Sequence, residues 1–157
     1  MKNSFLENLN QGVLGLQPYE PGLPLEHTQK KLGLEKMIKL ASNENPLGPS
    51  PKALDLLQVK MNSFSSELNR YPDGNAYDLK EAISKKYNVD LNQITIGNGS
   101  NDLIEFVSRC FLGEGKKAIY SQHGFAIYPL AIKATGAIPI KSKAKNWGHD
   151  LELMSNL

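Results

Sequence analysis

The sequence has one cysteine, Cys110, so no disulfide can close within the chain. That excludes a disulfide-stapled scaffold and fits a reducing compartment, where Cys110 is expected to pack as a small apolar residue. Charge of one sign is also scarce. The 18 Lys and Arg stand against 16 Asp and Glu, a formal net charge of +2. So small an excess gives no electrostatic footprint for nucleic acid or for an anionic membrane surface. Basic pairs such as Lys30-Lys31 and Lys85-Lys86 read as solvated helix faces. No apolar run is long enough to cross a bilayer, and the first residues lack the apolar core of a signal peptide. Cytoplasm is the expected compartment. Internal repeats and low-complexity tracts are absent. What is present is 157 residues of ordinary soluble composition, enough for one domain with a core.

Residues 1–36 read as an irregular arm. Gly12, Gly15, Pro18, Pro21, Gly22 and Pro24 interrupt any regular pattern, and only Pro24 to Leu34 suits a short helix. An arm with so little core must lie on something else, such as a second subunit. Met37 to Ala41 alternates weakly and predicts a strand. After the polar, proline-rich loop 42–50, Ser50 and Pro51 suit the cap and first position of a helix. Leu54, Leu57, Met61, Phe64 and Leu68 form its apolar stripe, read as core or interface packing. A second polar loop, 69–74, leads to a helix capped by Asn75, with Leu79, Ile83 and Tyr87 on one face.

The centre of the chain is Gly97-Asn98-Gly99-Ser100-Asn101-Asp102. Gln93 to Ile96 before it predicts a buried strand, and Leu103 to Leu112 after it predicts an amphipathic helix closed by Gly113. The first N–H groups of a helix have no intrahelical partner, and the peptide dipoles add partial positive charge there. Glycines let the backbone approach a ligand closely, and the Ser100 hydroxyl can cap the helix or bond an incoming oxygen. The turn is therefore a candidate phosphate seat. Lys117 to Tyr120, Ala126 to Thr135 and Ala137 to Lys141 continue as strand, helix and strand. Pro129 is tolerated only in the first turn of its helix. The pattern is α/β, with three strands expected in one sheet. Ligands in such sheets bind beyond the strand C-termini, where the glycine turn and the loop Gln122 to Phe125 both fall.

Five stretches carry a resemblance: residues 39–51, 68–74 and 97–102, Ser121 to Leu130, and Gly148-His149-Asp150-Leu151. In this order and spacing the chain resembles the N-terminal portion of the histidinol-phosphate aminotransferase family, fold-type I enzymes that use pyridoxal phosphate. The resemblance covers essentially the whole chain but less than half of a family member. It implies an extended arm (1–36), a strand, loop and linking helix of the small domain (37–74), and an incomplete cofactor-binding large domain (75–157) holding the first strands and helices of its sheet.

The same resemblance implies roles for particular residues. Gly99, Ser100 and Asn101 match the cup for the cofactor phosphate, and Phe125 the aromatic clamp on the pyridine ring. Tyr71 matches the residue that reaches the cofactor phosphate of the other subunit in a homodimer. Tyr19 matches an arm residue that closes over substrate, and Asn43 belongs to the loop at the mouth of the site. The implied reaction moves an amino group between L-glutamate and imidazole acetol phosphate to give L-histidinol phosphate.

The family's Schiff-base lysine segment does not occur in these residues, and neither do its carboxylate-binding arginine, the aspartate for the pyridine nitrogen and the tyrosine facing O3′. Lys141-Ser142-Lys143-Ala144 imitates the lysine segment only in part, and Lys143 lacks the apolar neighbours that would desolvate its amine. The expectation is a chain inactive alone, with an unpaired sheet edge that promotes association. Two other readings share the loops: an aminotransferase for aromatic amino acids, and a non-catalytic remnant that kept the phosphate cup. A dinucleotide-binding fold fits less well, because Gly97-Asn98-Gly99 lacks the third glycine at the required spacing.

Overall fold

The computed structural model describes residues 9–19, 24–63 and 70–157. Chain contacts divide it into two units, residues 1–19 with 92–157 and residues 20–91.

In the unit 20–91, helix α1 spans Leu25–Leu32 and stops at Gly33, which takes the left-handed conformation (φ 66°, ψ 28°) and returns its N–H to the Gln29 carbonyl. The strand expected at Met37 to Ala41 does not form a ladder among the described residues. Met37 and Lys39 are only half-buried, and the opposite face is bare, with Ile38 and Leu40 84% and 90% exposed. Without a ladder to join or a face fully covered, β propensity has little to act on. Helix α2, Pro51–Ser63, starts on Pro51 as its sequence predicts. Leu54, Leu57 and Met61 of its stripe are exposed, so they are not core in this unit. Phe64 and Leu68 lie outside the described residues.

Helix α3, Tyr77–Tyr87, is capped differently from expectation. Asn75 does not supply the capping oxygen. Asp73 does, accepting from the Asn75 N–H at 3.0 Å and the Tyr77 N–H at 2.8 Å. A carboxylate satisfies two amides where an amide oxygen would satisfy fewer, and it complements the positive end of the helix. These bonds, that to Tyr77 first, hold the Asp73 carboxyl below the usual carboxylate range. Asn88, left-handed at φ 53°, ends the helix.

In the other unit, a short 3-10 helix at Leu91–Gln93 leads in from residue 91. Helix α4 is Ser100–Phe111, strand β1 Lys117–Ser121, helix α5 Ile127–Ala134 and strand β2 Ile138–Ser142. β1 and β2 pair in parallel, from Lys117 opposite Ile138 to Ser121 opposite Ser142. Pro129 falls in the first turn of α5, where its missing N–H costs nothing. A two-residue hairpin, β3 (Ala144–Lys145) with β4 (Gly148–His149), and helix α6 (Leu151–Ser155) complete the order.

Three expectations for this unit are corrected. The three-stranded sheet is a two-stranded pair, because Gln93 to Ile96 joins no ladder among the described residues. Gly113 does not cap α4; Leu112 turns extended (φ −108°, ψ 164°), and the Lys116 ammonium donates to the Phe111 carbonyl at 2.8 Å. A side-chain donor thus does the work of a left-handed glycine. Cys110 is exposed rather than packed. Among the described residues the buried apolar ones are Ala131, Ile132 and Ala137, and the buried polar ones Ser108, Ser121 and Ser142. The core therefore gathers around α5 and β2. Among the described residues no helix is long and apolar enough to cross a membrane.

Candidate functional site

The glycine turn is built by two distinct constraints. Gly99, at the cap position of α4, has φ 78° and ψ −179°, a conformation open in practice only to glycine. A side chain there would meet nothing within 4 Å, so the space in front of Gly99 is open. Gly97 is the reverse case. Its φ is unexceptional, but a Cβ would stand 2.9 Å from Asp102 Cβ and 3.2 Å from Leu103 Cδ2. The turn is tight behind and open in front.

Asp102 closes it. The carboxylate folds back one turn of helix and accepts from the Asn98 N–H at 2.8 Å, while the Gly99 N–H donates to the Gly97 carbonyl at 2.9 Å. No side chain caps α4. Ser100 is the first helical residue, so its hydroxyl does not cap the helix and stands exposed, within reach of a ligand. An uncapped helix start, a glycine with open space before it and an adjacent hydroxyl suit an anionic group such as phosphate.

The second loop leaves the C-terminal end of β1. The Gln122 N–H donates to the Ser142 carbonyl at 2.9 Å, and the Gln122 side-chain oxygen accepts from the Ala144 N–H at 3.1 Å. The Gly124 N–H returns to the Ser121 carbonyl at 2.9 Å. The loop is thereby tied to both strands before it releases Phe125, whose carbonyl accepts from Tyr128 N–H in the first turn of α5. Beside it, His123 stacks on Trp147 with ring centroids 5.0 Å apart. Trp147 sits at φ 65° in the hairpin turn, a left-handed position that bulky residues rarely occupy.

Tyr19 and Phe125 meet. Their ring centroids are 6.1 Å apart at an interplanar angle of 77°, an edge-to-face pair. Ser100 and Tyr128 line one apolar groove of about 390 Å³ with Leu103, Val107 and Ile132. Tyr71 and Asn43 lie in the unit 20–91. Tyr71 is fully exposed, and Asn43 is left-handed at φ 52° in a loop held by Asn45, which accepts from the Leu47 N–H and donates to the Gly48 carbonyl, both at 3.0 Å. Lys143 is exposed, immediately after the end of β2.

The family description "Aminotransferase class I and II" matches residues 35–157. The chain belongs to that family. Among curated relatives of this aminotransferase chain, histidinol-phosphate aminotransferase 2 of Pseudomonas aeruginosa is 46% identical over 154 residues, 97% of this chain and 41% of the relative. Histidinol-phosphate aminotransferase 1 of Mannheimia succiniciproducens is 48% identical over 149 residues, 95% of this chain and 40% of the relative. The chain thus spans about two fifths of the length of the curated relatives it matches. A solved histidinol-phosphate aminotransferase from Sinorhizobium meliloti, in complex with pyridoxal-5'-phosphate, superposes with a TM-score of 0.77 at 20% identity, covering 95% of this chain and 39% of that one. A kynurenine aminotransferase from Pyrococcus horikoshii superposes at 0.63 and 18% identity, covering 98% of this chain and 39% of that one. These two likenesses fix the fold as fold-type I.

Sequence reasoning missed three parts of the site. Asp102 was named only as the end of the turn, although its spacing of four from Asn98 was the signal for a brace. The Gln122 bridge and the Tyr19–Phe125 contact depend on how the chain folds back, which local spacing does not encode.

Proposed function

We propose that this chain is the cofactor-phosphate and substrate-arm portion of a pyridoxal-phosphate enzyme that moves an amino group between L-glutamate and imidazole acetol phosphate, giving L-histidinol phosphate and 2-oxoglutarate. The observation that carries it is the 46% identity to a histidinol-phosphate aminotransferase across 154 residues, over a helix start left uncapped at Ser100. In this reading residues 1–36 are the arm, 37–74 part of the small domain and 75–157 part of the large domain of a cytoplasmic homodimer.

The residues present fit the cofactor. Gly99 leaves room for a phosphate, and the first amides of α4 with the Ser100 and Asn101 side chains supply donors to it. Phe125 is 42% exposed with Tyr19 against it, so part of its ring is free to lie on a flat heterocycle. Bound pyridoxal phosphate acts as an electron sink for the carbon that loses or gains a proton. This chain's task is to fix the anionic tail, orient the ring and exclude water from the substrate side through Tyr19. Asn43 supports the mouth of the site, and the full exposure of Tyr71 suits a side chain that serves the phosphate of a second subunit. The proton-transferring lysine is supplied by sequence outside these 157 residues.

The test joins this chain to the remaining sequence of the Pseudomonas aeruginosa relative and assays 2-oxoglutarate-dependent transamination. L-Histidinol phosphate should be used in preference to L-phenylalanine. Preference for phenylalanine, or no cofactor-dependent turnover by a folded fusion, would overturn the assignment.

A further inference from the structure

The arm meets the end of α5 at Gly12. Residues 10–16 form a tight turn: Val13 N–H donates to the Asn10 carbonyl at 2.8 Å, and Gly12 N–H to Asn10 Oδ1 at 2.9 Å. Gly12 lies flush on the C-terminal end of α5. A Cβ on Gly12 would overlap the Lys133 carbonyl oxygen and approach Gly136 N to 2.6 Å and Gly136 Cα to 2.9 Å. All three are backbone atoms, and two of them are fixed to each other by the Gly136 N–H to Lys133 carbonyl bond of 2.8 Å that closes α5. They cannot swing aside as a side-chain tip could.

Gly12 does not have a positive φ, so alanine is compatible with its torsions. What glycine provides there is contact distance. From this point the chain runs seven residues to Tyr19. Leu16 is part-buried on the way, with its N–H on the Val13 carbonyl at 3.2 Å. Gly15 turns left-handed at φ 80°, and Pro18 fixes its own φ and holds Gln17 extended, which sets the direction in which the arm reaches Tyr19. The end of the run is the ring contact with Phe125.

We propose that Gly12 is a positioning residue: the absence of a side chain seats the arm on the end of α5, and that seat holds Tyr19 against Phe125. The inference rests on the reading of Tyr19 as the substrate-side residue of the cofactor site, and it adds the device that places it. A single methyl at position 12 lifts the arm and uncovers Phe125 with every site residue still present.

The experiment places 3-fluorotyrosine at position 19 of the full chain and follows its 19F resonance. In the parent chain Phe125→Leu should move the resonance, because the ring current is lost. In Gly12→Ala the resonance should already lie at the shifted position, and adding Phe125→Leu should move it no further. Gln11→Ala, an exposed neighbour, should leave the parent behaviour intact. A Gly12→Ala chain whose resonance is unmoved and still answers to Phe125→Leu overturns the proposal. Should Gly12→Ala fail to fold by circular dichroism, the parent chain decides: a nuclear Overhauser effect between Gly12 Hα and the Gly136 amide supports the seat, and its absence refutes it. Dialysis of the same sample against pyridoxal phosphate keeps the two ideas apart. No cofactor binding with Tyr19 still coupled to Phe125 sinks the cofactor assignment and leaves the seat standing.

Discussion

Gly97→Ala and Gly99→Ala make a matched pair, because the two glycines are required for different reasons. At Gly99 the objection is torsional. With φ 78° and ψ −179°, alanine pays backbone strain of about 1–3 kcal/mol, and no steric clash is added because nothing lies within 4 Å. If the turn keeps its shape, that strain appears as lost stability. If the turn relaxes, the competent form becomes a minor state, and phosphate affinity falls by on the order of 5- to 150-fold. The two losses together should account for the strain. At Gly97 the objection is contact. The new methyl would press Asp102 Cβ at 2.9 Å, on the backbone side of a side chain that braces Asn98. Overpacking of this kind costs roughly 1–3 kcal/mol, offset by about 0.4–1 kcal/mol from a stiffer unfolded chain. Urea melts and equilibrium dialysis with pyridoxal phosphate on each variant measure both parts. A Gly99→Ala chain with parent stability and parent affinity would refute the geometry assigned to this turn.

Two further outcomes follow from the fold. Asp73 has a folded-state pKa below its unfolded value, so its two amide bonds stabilise fully above the unfolded pKa of about 3.9 and are lost as pH falls through the folded value. The gap in urea midpoint between the parent chain and Asp73→Ala, followed by helical circular dichroism, should be constant near neutrality and close below about pH 4; a gap that widens in acid would contradict the cap. The β1–β2 pair leaves both outer edges unpaired among the described residues, and Phe106, Val107 and Phe111 of α4 are exposed. The 157-residue chain should therefore self-associate in sedimentation velocity, and a monodisperse monomer with a cooperative melt would count against this.

The helices were legible in the sequence where caps and periodicity agreed. Pro51 opens α2, and Pro129 sits in the first turn of α5, because proline geometry is local. β1 and β2 were legible for a different reason: a helix-length segment between two short apolar runs, with glycines at its ends, is the βαβ pattern itself. Strands at Met37 to Ala41 and Gln93 to Ile96 were over-read, since a strand exists only within a ladder and neither segment joins one among the described residues. The cap of α3 was misplaced by two residues because Asn75 and Asp73 are both capping types, and only the backbone decides which one reaches Tyr77. At the site, the glycine turn and the helix that begins at Ser100 were legible from residue type and order. That Tyr19 would meet Phe125, more than a hundred residues on, was not, because it depends on the arm docking through Gly12.

The most direct test compares pyridoxal 5'-phosphate with pyridoxal in equilibrium dialysis against this chain and its Ser100→Ala variant. The account predicts that the phosphate ester binds at least ten times more tightly, by about 1.4 kcal/mol or more, and that Ser100→Ala narrows the difference. Equal binding of the two compounds, or a preference untouched at Ser100, would contradict it.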